Sequence, residues 1–285
     1  MKNSNEVKSR IKSIKDTSQI TRAMNLISTI KMRKAMAKYE DNKEYTTKLK
    51  ESIKEVYVAE KEANSKYFNE KKGDKVAYIV VASDRGLAGD YNDDVFNTAY
   101  DDMQYVKEKK VYPLGFLSEF YFQKRDIKIE PEYLYVTNSP NTSNARRIMY
   151  NMVELYDDGI VDEIKIVYTS IKSLNDMKAV VETILPISFN KDEIKDYKKY
   201  KTFDYTCDYK ETLSLVVKQY VLGKIYSCLL QAEVAEHYHR MIAMDSATRN
   251  SKEILEELQL EFNKIRQEKI TKEITETSSS RMRME

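Results

Sequence analysis

Few groupings in this chain have the residue types and spacing to do chemistry. One is Ser83-Asp84-Arg85-Gly86-Leu87-Ala88-Gly89, which follows the apolar run Val76-Ala77-Tyr78-Ile79-Val80-Val81. A glycine loop after a buried strand can cradle phosphate with backbone N–H groups. This loop has neither the G-x-G-x-x-G spacing nor a Gly-Lys-Ser/Thr ending. It reads as a turn, with Asp84 capping and Gly86 and Gly89 supplying open backbone angles. His237 and His239 are two residues apart. On a helix their side chains diverge by about 200°, so they cannot share a metal, and they are expected on the surface. Cys207 and Cys228 show no disulfide or metal spacing and point to a reducing compartment. Asp245 and Arg249 are four apart and can pair on one helix face. No nucleophile–base pair stands out, and the residue types support no active site wholly within this chain.

The elements that must position these residues are unusual in their extent. All four prolines (Pro113, Pro131, Pro140, Pro186) lie in the middle of the 285 residues. Residues 1–72 contain no Gly or Pro, and residues 187–285 contain one Gly, Gly223. Gly and Pro are what normally end helices, so both ends are predicted as long helices. The first spans 6–61, with Asn5 or Asn3 able to cap it and an apolar stripe at Val7, Ile11, Ile14, Ile20, Met24, Ile27, Ile30 and Ala35. Some 55 residues at about 1.5 Å each make a rod on the order of 80 Å. The second spans 209–277. Gly223 is expected at a close-packing site, and the small residues Ala232, Ala235, Ala243 and Ala247 admit a neighbouring helix. The simplest arrangement is an antiparallel coiled coil whose longer C-terminal helix projects beyond the pair.

The middle alternates. Strands are predicted at 76–81, 111–116, 133–136, 164–169 and 180–185, the last two as a hairpin. Helices are predicted at 92–107 and 143–156, with a helical turn at 119–124. Strand–helix–strand order implies a mostly parallel sheet, a Rossmann-like α/β domain. The organisation is therefore α/β with long α-helical extensions: an N-terminal coiled-coil helix (1–72), a Rossmann-like domain (73–190), a connector (191–208), and a C-terminal coiled-coil helix with a polar tail (209–285).

Charge is unevenly spread. The net value is only +2, with 33% charged residues. Residues 1–38 nevertheless carry ten Lys/Arg against Glu6 and Asp16, a local excess of +8. No apolar run approaches the roughly 18–20 residues that cross a bilayer, and the N-terminus lacks a signal-peptide stretch. The chain is expected to be soluble, or to meet a membrane only through a partner. Its 22 Tyr without Trp read as a compositional habit of the source.

Separated strings then carry a resemblance. Ile11-Lys12-Ser13-Ile14-Lys15-Asp16-Thr17-Ser18-Gln19-Ile20-Thr21-Arg22-Ala23-Met24, followed by Lys31-Met32-Arg33-Lys34, closely resembles the N-terminal signature of F-type ATP synthase gamma subunits. The loop from Ser83 to Asn92 resembles that family's segment after the first strand. Arg240-Met241-Ile242-Ala243-Met244-Asp245-Ser246-Ala247-Thr248-Arg249-Asn250, and the stretch from Leu258 to Glu276, resemble its C-terminal signature. The strings run in register along the whole chain.

The resemblance implies a central rotor shaft. The paired helices would stand inside a ring of three alpha and three beta subunits, with the α/β domain at the foot beside the epsilon subunit and the membrane ring of c subunits. Catalytic sites would lie on beta, so this chain would be a non-catalytic subunit of an enzyme complex. It would need no cofactor or metal of its own, and it would be peripheral on the cytoplasmic face of a bacterial plasma membrane. The resemblance places Met24 near acidic lever loops of beta, with Arg33 and Lys34 in the basic segment that meets them. It places Arg240, Arg266, Gln267, Thr271 and Glu273 at the facing contacts of the C-terminal helix, and Tyr205 at the foot, near the c ring.

Departures from the family pattern are specific. The tail Thr277-Ser278-Ser279-Ser280-Arg281-Met282-Arg283-Met284-Glu285 is polar where the family's tip is usually apolar. Either it protrudes beyond the bearing or this bearing is wetter. Asp245 and Arg249 exchange the signs often found there, and Ala88 stands where Cys is common. Two other classes of function fit the residues alone. A coiled-coil adaptor or basic-helix nucleic-acid binder could lay the +8 segment along phosphate, although sustained Leu heptads are missing. A nucleotide-dependent enzyme could use the middle domain.

Overall fold

The computed structural model describes residues 4–59, 65–68, 74–130, 133, 136–174, 176–189 and 209–281, without the side chains of 56–59, 209–212 and 280–281. The elements in order are α1 (Ser4–Ala59), β1 (Lys75–Val81), α2 (Tyr91–Met103), β2 (Glu108–Leu114), α3 (Phe116–Gln123), α4 (Thr142–Asp157), β3 (Glu163–Ser173), β4 (Asp176–Leu185) and α5 (Tyr209–Arg281). The chain divides into a unit of Met1–Thr29 with Arg240–Glu285 and a unit of Ile30–His239. The predicted connector 191–208, with Tyr205, lies outside the described residues.

The terminal helices are as long as their lack of breakers predicts: 56 residues for α1 and 73 for α5. Their threonines do not interrupt them. Thr17, Thr29, Thr46 and Thr47 in α1, and Thr271, Thr275 and Thr277 in α5, donate their hydroxyls to the carbonyl four residues back. With those hydroxyls satisfied, α5 continues to Arg281, past the predicted end at 277.

The buried face of α1 differs from the predicted apolar stripe. Its least exposed positions are Val7, Ile11, Ile14, Ser18, Thr21, Asn25, Ser28, Met32, Ala35, Tyr39, Asn42, Thr46, Leu49 and Ile53. They alternate three and four apart, which is the coiled-coil period. From Ser18 to Ser28 the seam is filled by small polar side chains. Ile20, Ile27 and Ile30 are 55–60% exposed instead. Hydroxyls and small side chains let two backbones approach closely and still find partners, whereas isoleucines at those positions would hold them apart.

In the first unit, α1 and α5 run antiparallel. The Thr21 and Thr248 hydroxyls meet at 2.8 Å, and Asn25 Nδ2 donates to the Met241 carbonyl at 2.9 Å. Val7, Met244, Ser251 and Leu258 are buried along the same seam. From Arg266 to Ser279 every residue of α5 is exposed, so these turns project past the pair.

In the second unit, four strands form a mixed sheet in the order β2-β1-β3-β4. β1 pairs in parallel with β2 and β3, and β4 is antiparallel to β3. β1 is buried on both faces, as its unbroken apolar run requires. Ala77, Ile79 and Val81 face a core built with α4 and α5. Val76, Tyr78 and Val80 face one built with α2 and α3. Pro113 is tolerated because β2 is an edge strand. The α1–α5 packing is antiparallel here too, with Ala35 against Val234 and Gly223 against Leu49 and Thr46.

Several boundaries depart from prediction. β2 begins at Glu108, ahead of the predicted 111, because Lys109 and Lys110 extend the pairing to Val76 and Ala77. α2 ends at Met103, where Lys109 Nζ caps the Met103 and Val106 carbonyls. α3 fills Phe116–Gln123 where only a turn over 119–124 is predicted. Within the predicted 133–136 strand, Tyr133 makes a single parallel bridge to Leu114. The hairpin arms are longer than their apolar cores, since polar residues of β3 and β4 extend the ladder to Ser173 and Asp176. One stretch within Leu213–Ser279 is also apolar enough to cross a membrane by length and composition, with a mean hydropathy of 1.3, contrary to the sequence expectation. Just over half of it (56%) is buried in the protein, as a core helix requires.

Candidate functional site

The glycine loop is a structural turn. The Ser83 backbone N–H, which a phosphate would need, donates to Asn92 Oδ1 at 3.0 Å. The Ser83 hydroxyl reaches the Arg85 carbonyl at 2.7 Å, and Asp84 Oδ1 accepts from the Phe116 N–H at 3.1 Å. Gly89 adopts φ 57°, as predicted for an open angle. Gly86 does not have positive φ; the left-handed position falls on Leu87, at φ 64°. The loop acts as a wedge: Ala88 and Tyr91 are buried against Ala235 of α5.

The histidines are not on the surface. His237 is buried, and His239 is half-buried with its ring 6.0 Å from that of Tyr91. Burial lowers the His239 pKa, against the opposing pull of Asp94 and Asp90. Tyr91, packed on Ala235 and beside His239, covers a part of α5 that an isolated-helix reading leaves open to water. Asp245 and Arg249 do pair, at 3.0 Å, with both side chains more than half exposed. An exposed i,i+4 pair contributes about 0.3–0.5 kcal/mol. A double-mutant cycle on Asp245 and Arg249 is expected to return a coupling of that size, and zero coupling would remove the pair from the account.

Buried polar groups concentrate where α5 meets the sheet and α1. Lys224 Nζ donates to Glu182 Oε1 at 2.5 Å, and the Tyr168 hydroxyl donates to Glu182 Oε2 at 2.9 Å. Gln231 Oε1 accepts from the Ile171 N–H at 3.0 Å and the Ser170 hydroxyl at 3.5 Å. Burial pushes the Cys228 thiol up to about 12, so it stays protonated and inert. None of these contacts is legible from spacing. The available signal was one lysine inside the apolar stretch Val221-Leu222-Gly223-Lys224-Ile225.

Glu233 is 9% exposed, and its Oε2 has no hydrogen-bond partner among the described residues. Burial pushes its pKa from 4.5 up to about 7; Lys38, Lys31 and Lys34 pull it down, and Glu236 pushes it further up. The native state thus holds a proton that the unfolded chain releases, and stability falls as pH rises from 4.5 through about 7. Glu233→Gln, which cannot ionise, is expected to remove that loss. Its stability advantage over the wild type should be near zero at about pH 4.5 and reach about 3 kcal/mol by about pH 8, followed by denaturant melts. Parallel profiles for the two proteins would refute the assignment.

The residues that the resemblance singled out fall into distinct settings. Met24 is half-buried on α1, and Arg33 and Lys34 are exposed on it. Arg240 is buried, at 8% exposure. Arg266, Gln267, Thr271 and Glu273 are all exposed on consecutive turns of α5, with Thr271 Oγ1 bonded to the Gln267 carbonyl and Lys269 3.8 Å from Glu273. Leu260, Ile270 and Ile274 on the same projecting helix are 71%, 47% and 64% exposed. The outward faces of the two helices thus mix apolar and charged residues.

A family model described as ATP synthase matches residues 3–281. The ATP synthase gamma chain of Ruminiclostridium cellulolyticum is 36% identical over 282 residues, covering 96% of each chain. The chain belongs to the ATP synthase gamma-chain family. The gamma chain of Clostridium kluyveri is 35% identical over 275 residues, 95% of this chain and 94% of that one. Among solved structures, a chain of the Euglena gracilis mitochondrial ATP synthase (OSCP/F1/c-ring, rotational state 3) shares the fold, with a TM-score of 0.66 at 14% identity over 99% of this chain and 94% of that one. Gamma-chain membership accounts for the two long helices and the mixed four-stranded sheet together.

Proposed function

We propose that this chain is the central rotor shaft of an F-type ATP synthase, coupling ion flow through a membrane c ring to ATP synthesis or hydrolysis in an alpha/beta hexamer. The observation that carries the reading is the antiparallel helix pair whose outer faces keep Ile20, Ile27, Ile30, Leu260, Ile270 and Ile274 uncovered by the chain itself. Large apolar side chains repeated along exposed helix faces mark a surface that other proteins cover.

On this reading the shaft contributes mechanics and the chemistry stays on beta. Each ion crossing the membrane supplies about 2.3 kcal/mol per charge per 100 mV. The c ring, with the epsilon subunit, delivers that work to the foot, where Tyr205 makes contact. The helix pair carries it as rotation into three alpha and three beta subunits. Met24, Arg33 and Lys34 serve the level at which beta's acidic levers meet the shaft. Arg240, Arg266, Gln267, Thr271 and Glu273 serve the facing contacts of the C-terminal helix. Exposed lysines and arginines attract such levers through solvent without locking, because screened surface pairs are weak. The complex sits on the cytoplasmic face of a bacterial plasma membrane, and the chain reaches that membrane through its partners.

Reconstitution with the cognate alpha and beta chains tests the proposal. One copy per hexamer with ATP turnover is expected; exclusion from the hexamer would refute it. Within that assembly, deleting residues 278–285 is expected to leave ATP-driven rotation largely intact. The described side chains on the preceding turns, 266–277, are all exposed. Loss of rotation in a single-molecule assay would show that the polar end is gripped.

A further inference from the structure

The shaft reading, on which this inference rests, leaves one mechanical question open: what stops α5 from turning within its own foot domain. Apolar packing alone is a poor answer. Hydrophobic contact is non-directional and roughly proportional to area, so it resists separation better than sliding. Directional contacts at fixed points on the helix are needed.

The structure supplies them at one level of α5. Lys224 reaches Glu182 of β4, and the same carboxylate accepts from Tyr168 of β3, so both its oxygens are engaged. Tyr168 is buried, and the Lys224 and Glu182 side chains are 28% and 35% exposed. Gln231, seven residues further on, takes the Ile171 N–H of β3. Seven residues are two helical turns, so Lys224 and Gln231 lie on one face of α5, about 10 Å apart along it. Beside Lys224, Gly223 lets α1 approach so closely that an added Cβ would stand 2.8 Å from Leu49 Cδ1. One face of the helix is tied to the β3–β4 hairpin, and the adjoining residue is wedged against α1.

We infer that Lys224, held by Glu182 and seconded by Gln231, is the positioning residue that fixes α5 against rotation relative to the β3–β4 hairpin, and so passes torque between shaft and foot. The physical case rests on what a partly buried ion pair does and does not provide. Its attraction is mostly offset by desolvation, so a well-packed apolar replacement is often equally stable. Its distinctive contribution is a fixed register. Lys224→Met should therefore fold normally and grip poorly.

The test uses the assembled alpha/beta/gamma complex. Tyr105, 89% exposed in the loop after α2, is replaced by Cys in a Cys207→Ser background to attach a bead to the foot; Cys228 is buried. Angular fluctuation of the bead at the catalytic dwell reports torsional stiffness. Lys224→Met combined with Gln231→Leu is expected to raise the angular variance at least roughly two-fold, with ATP turnover and melting temperature near wild type, because register is lost and packing is kept. Lys224→Glu with Glu182→Lys is expected to restore the wild-type variance, an outcome that a purely structural role does not require. Unchanged variance in the Met/Leu variant would overturn the inference while leaving the shaft reading intact. Failure of that variant to fold would also overturn it, since fold maintenance would then explain the pair. If the wild-type chain neither enters the hexamer nor rotates, the shaft reading itself fails.

Discussion

Gly115→Ala is expected to cost about 3 kcal/mol or more, the largest single-methyl effect in the α/β domain. Gly115 joins β2 to α3 at φ 93°, a conformation L side chains rarely adopt. A Cβ there would stand 2.2 Å from the Ala82 carbonyl oxygen and 2.9 Å from its carbon. Neither side can give way. Ala82 is fixed by its N–H bond to the Leu114 carbonyl at 3.0 Å, and Ser83 next to it is pinned by Asn92. The strain would pass directly to the wedge loop that packs on α5. Gly89→Ala is the control: φ is 57° but the space around the site is open, so about 1 kcal/mol is expected. Denaturant melts of both variants measure the difference, and equal losses would mean that the close approach at Gly115 is not what fixes the turn.

Leu260→Asp with Ile274→Asp is expected to abolish entry into the alpha/beta hexamer while leaving the isolated chain as stable as before. Leu260, on the outer face beside the seam, is 71% exposed and Ile274, on the projecting turns of α5, is 64% exposed, so the chain's own fold uses little of either. Surface changes of that kind usually shift stability by no more than about 0.5 kcal/mol. In a bearing formed by other subunits, each would forfeit roughly 2 kcal/mol of apolar burial and add a carboxylate to desolvate. Together they should weaken association by at least about 10³-fold, since every 1.4 kcal/mol is tenfold. Co-purification stoichiometry with alpha and beta reads this directly. Normal incorporation of the double variant would show that this face meets solvent in the complex.

Much of the architecture was legible because it follows from local rules. Missing Gly and Pro set the lengths of α1 and α5, and continuous apolar runs marked β1 and the core of β3. The family was legible in strings that neither composition nor periodicity would have assembled. What escaped was decided by tertiary contacts. The seam of α1 could not be read because hydroxyls, not methyls, occupy it from Ser18 to Ser28, and hydrophobic periodicity therefore tracked the exposed isoleucines. His239 became half-buried because the Tyr91 ring at the start of α2 packs beside it, a contact no spacing on α5 announces. The Lys224–Glu182–Tyr168 cluster joins residues far apart in sequence, and no spacing rule connects them. Of the residues that the resemblance singled out, Arg266, Gln267, Thr271 and Glu273 stand exposed on adjacent turns, whereas Arg240 is enclosed within the chain.

The fourteen residues from Arg266 to Ser279 are all exposed. A helical stretch of that length is marginal in water when cut free. Here it needs no nucleus, because every turn is templated by the one before it, and ion pairs such as Lys269–Glu273 and Lys272–Glu276 add only tenths of a kcal/mol. Amide hydrogen exchange in the unassembled chain should accordingly quicken steadily toward this end, and raised ionic strength should steepen the gradient. The protein would then reach its partners with a rigid base and a pliable point, able to thread a narrow opening before the surrounding subunits stiffen it.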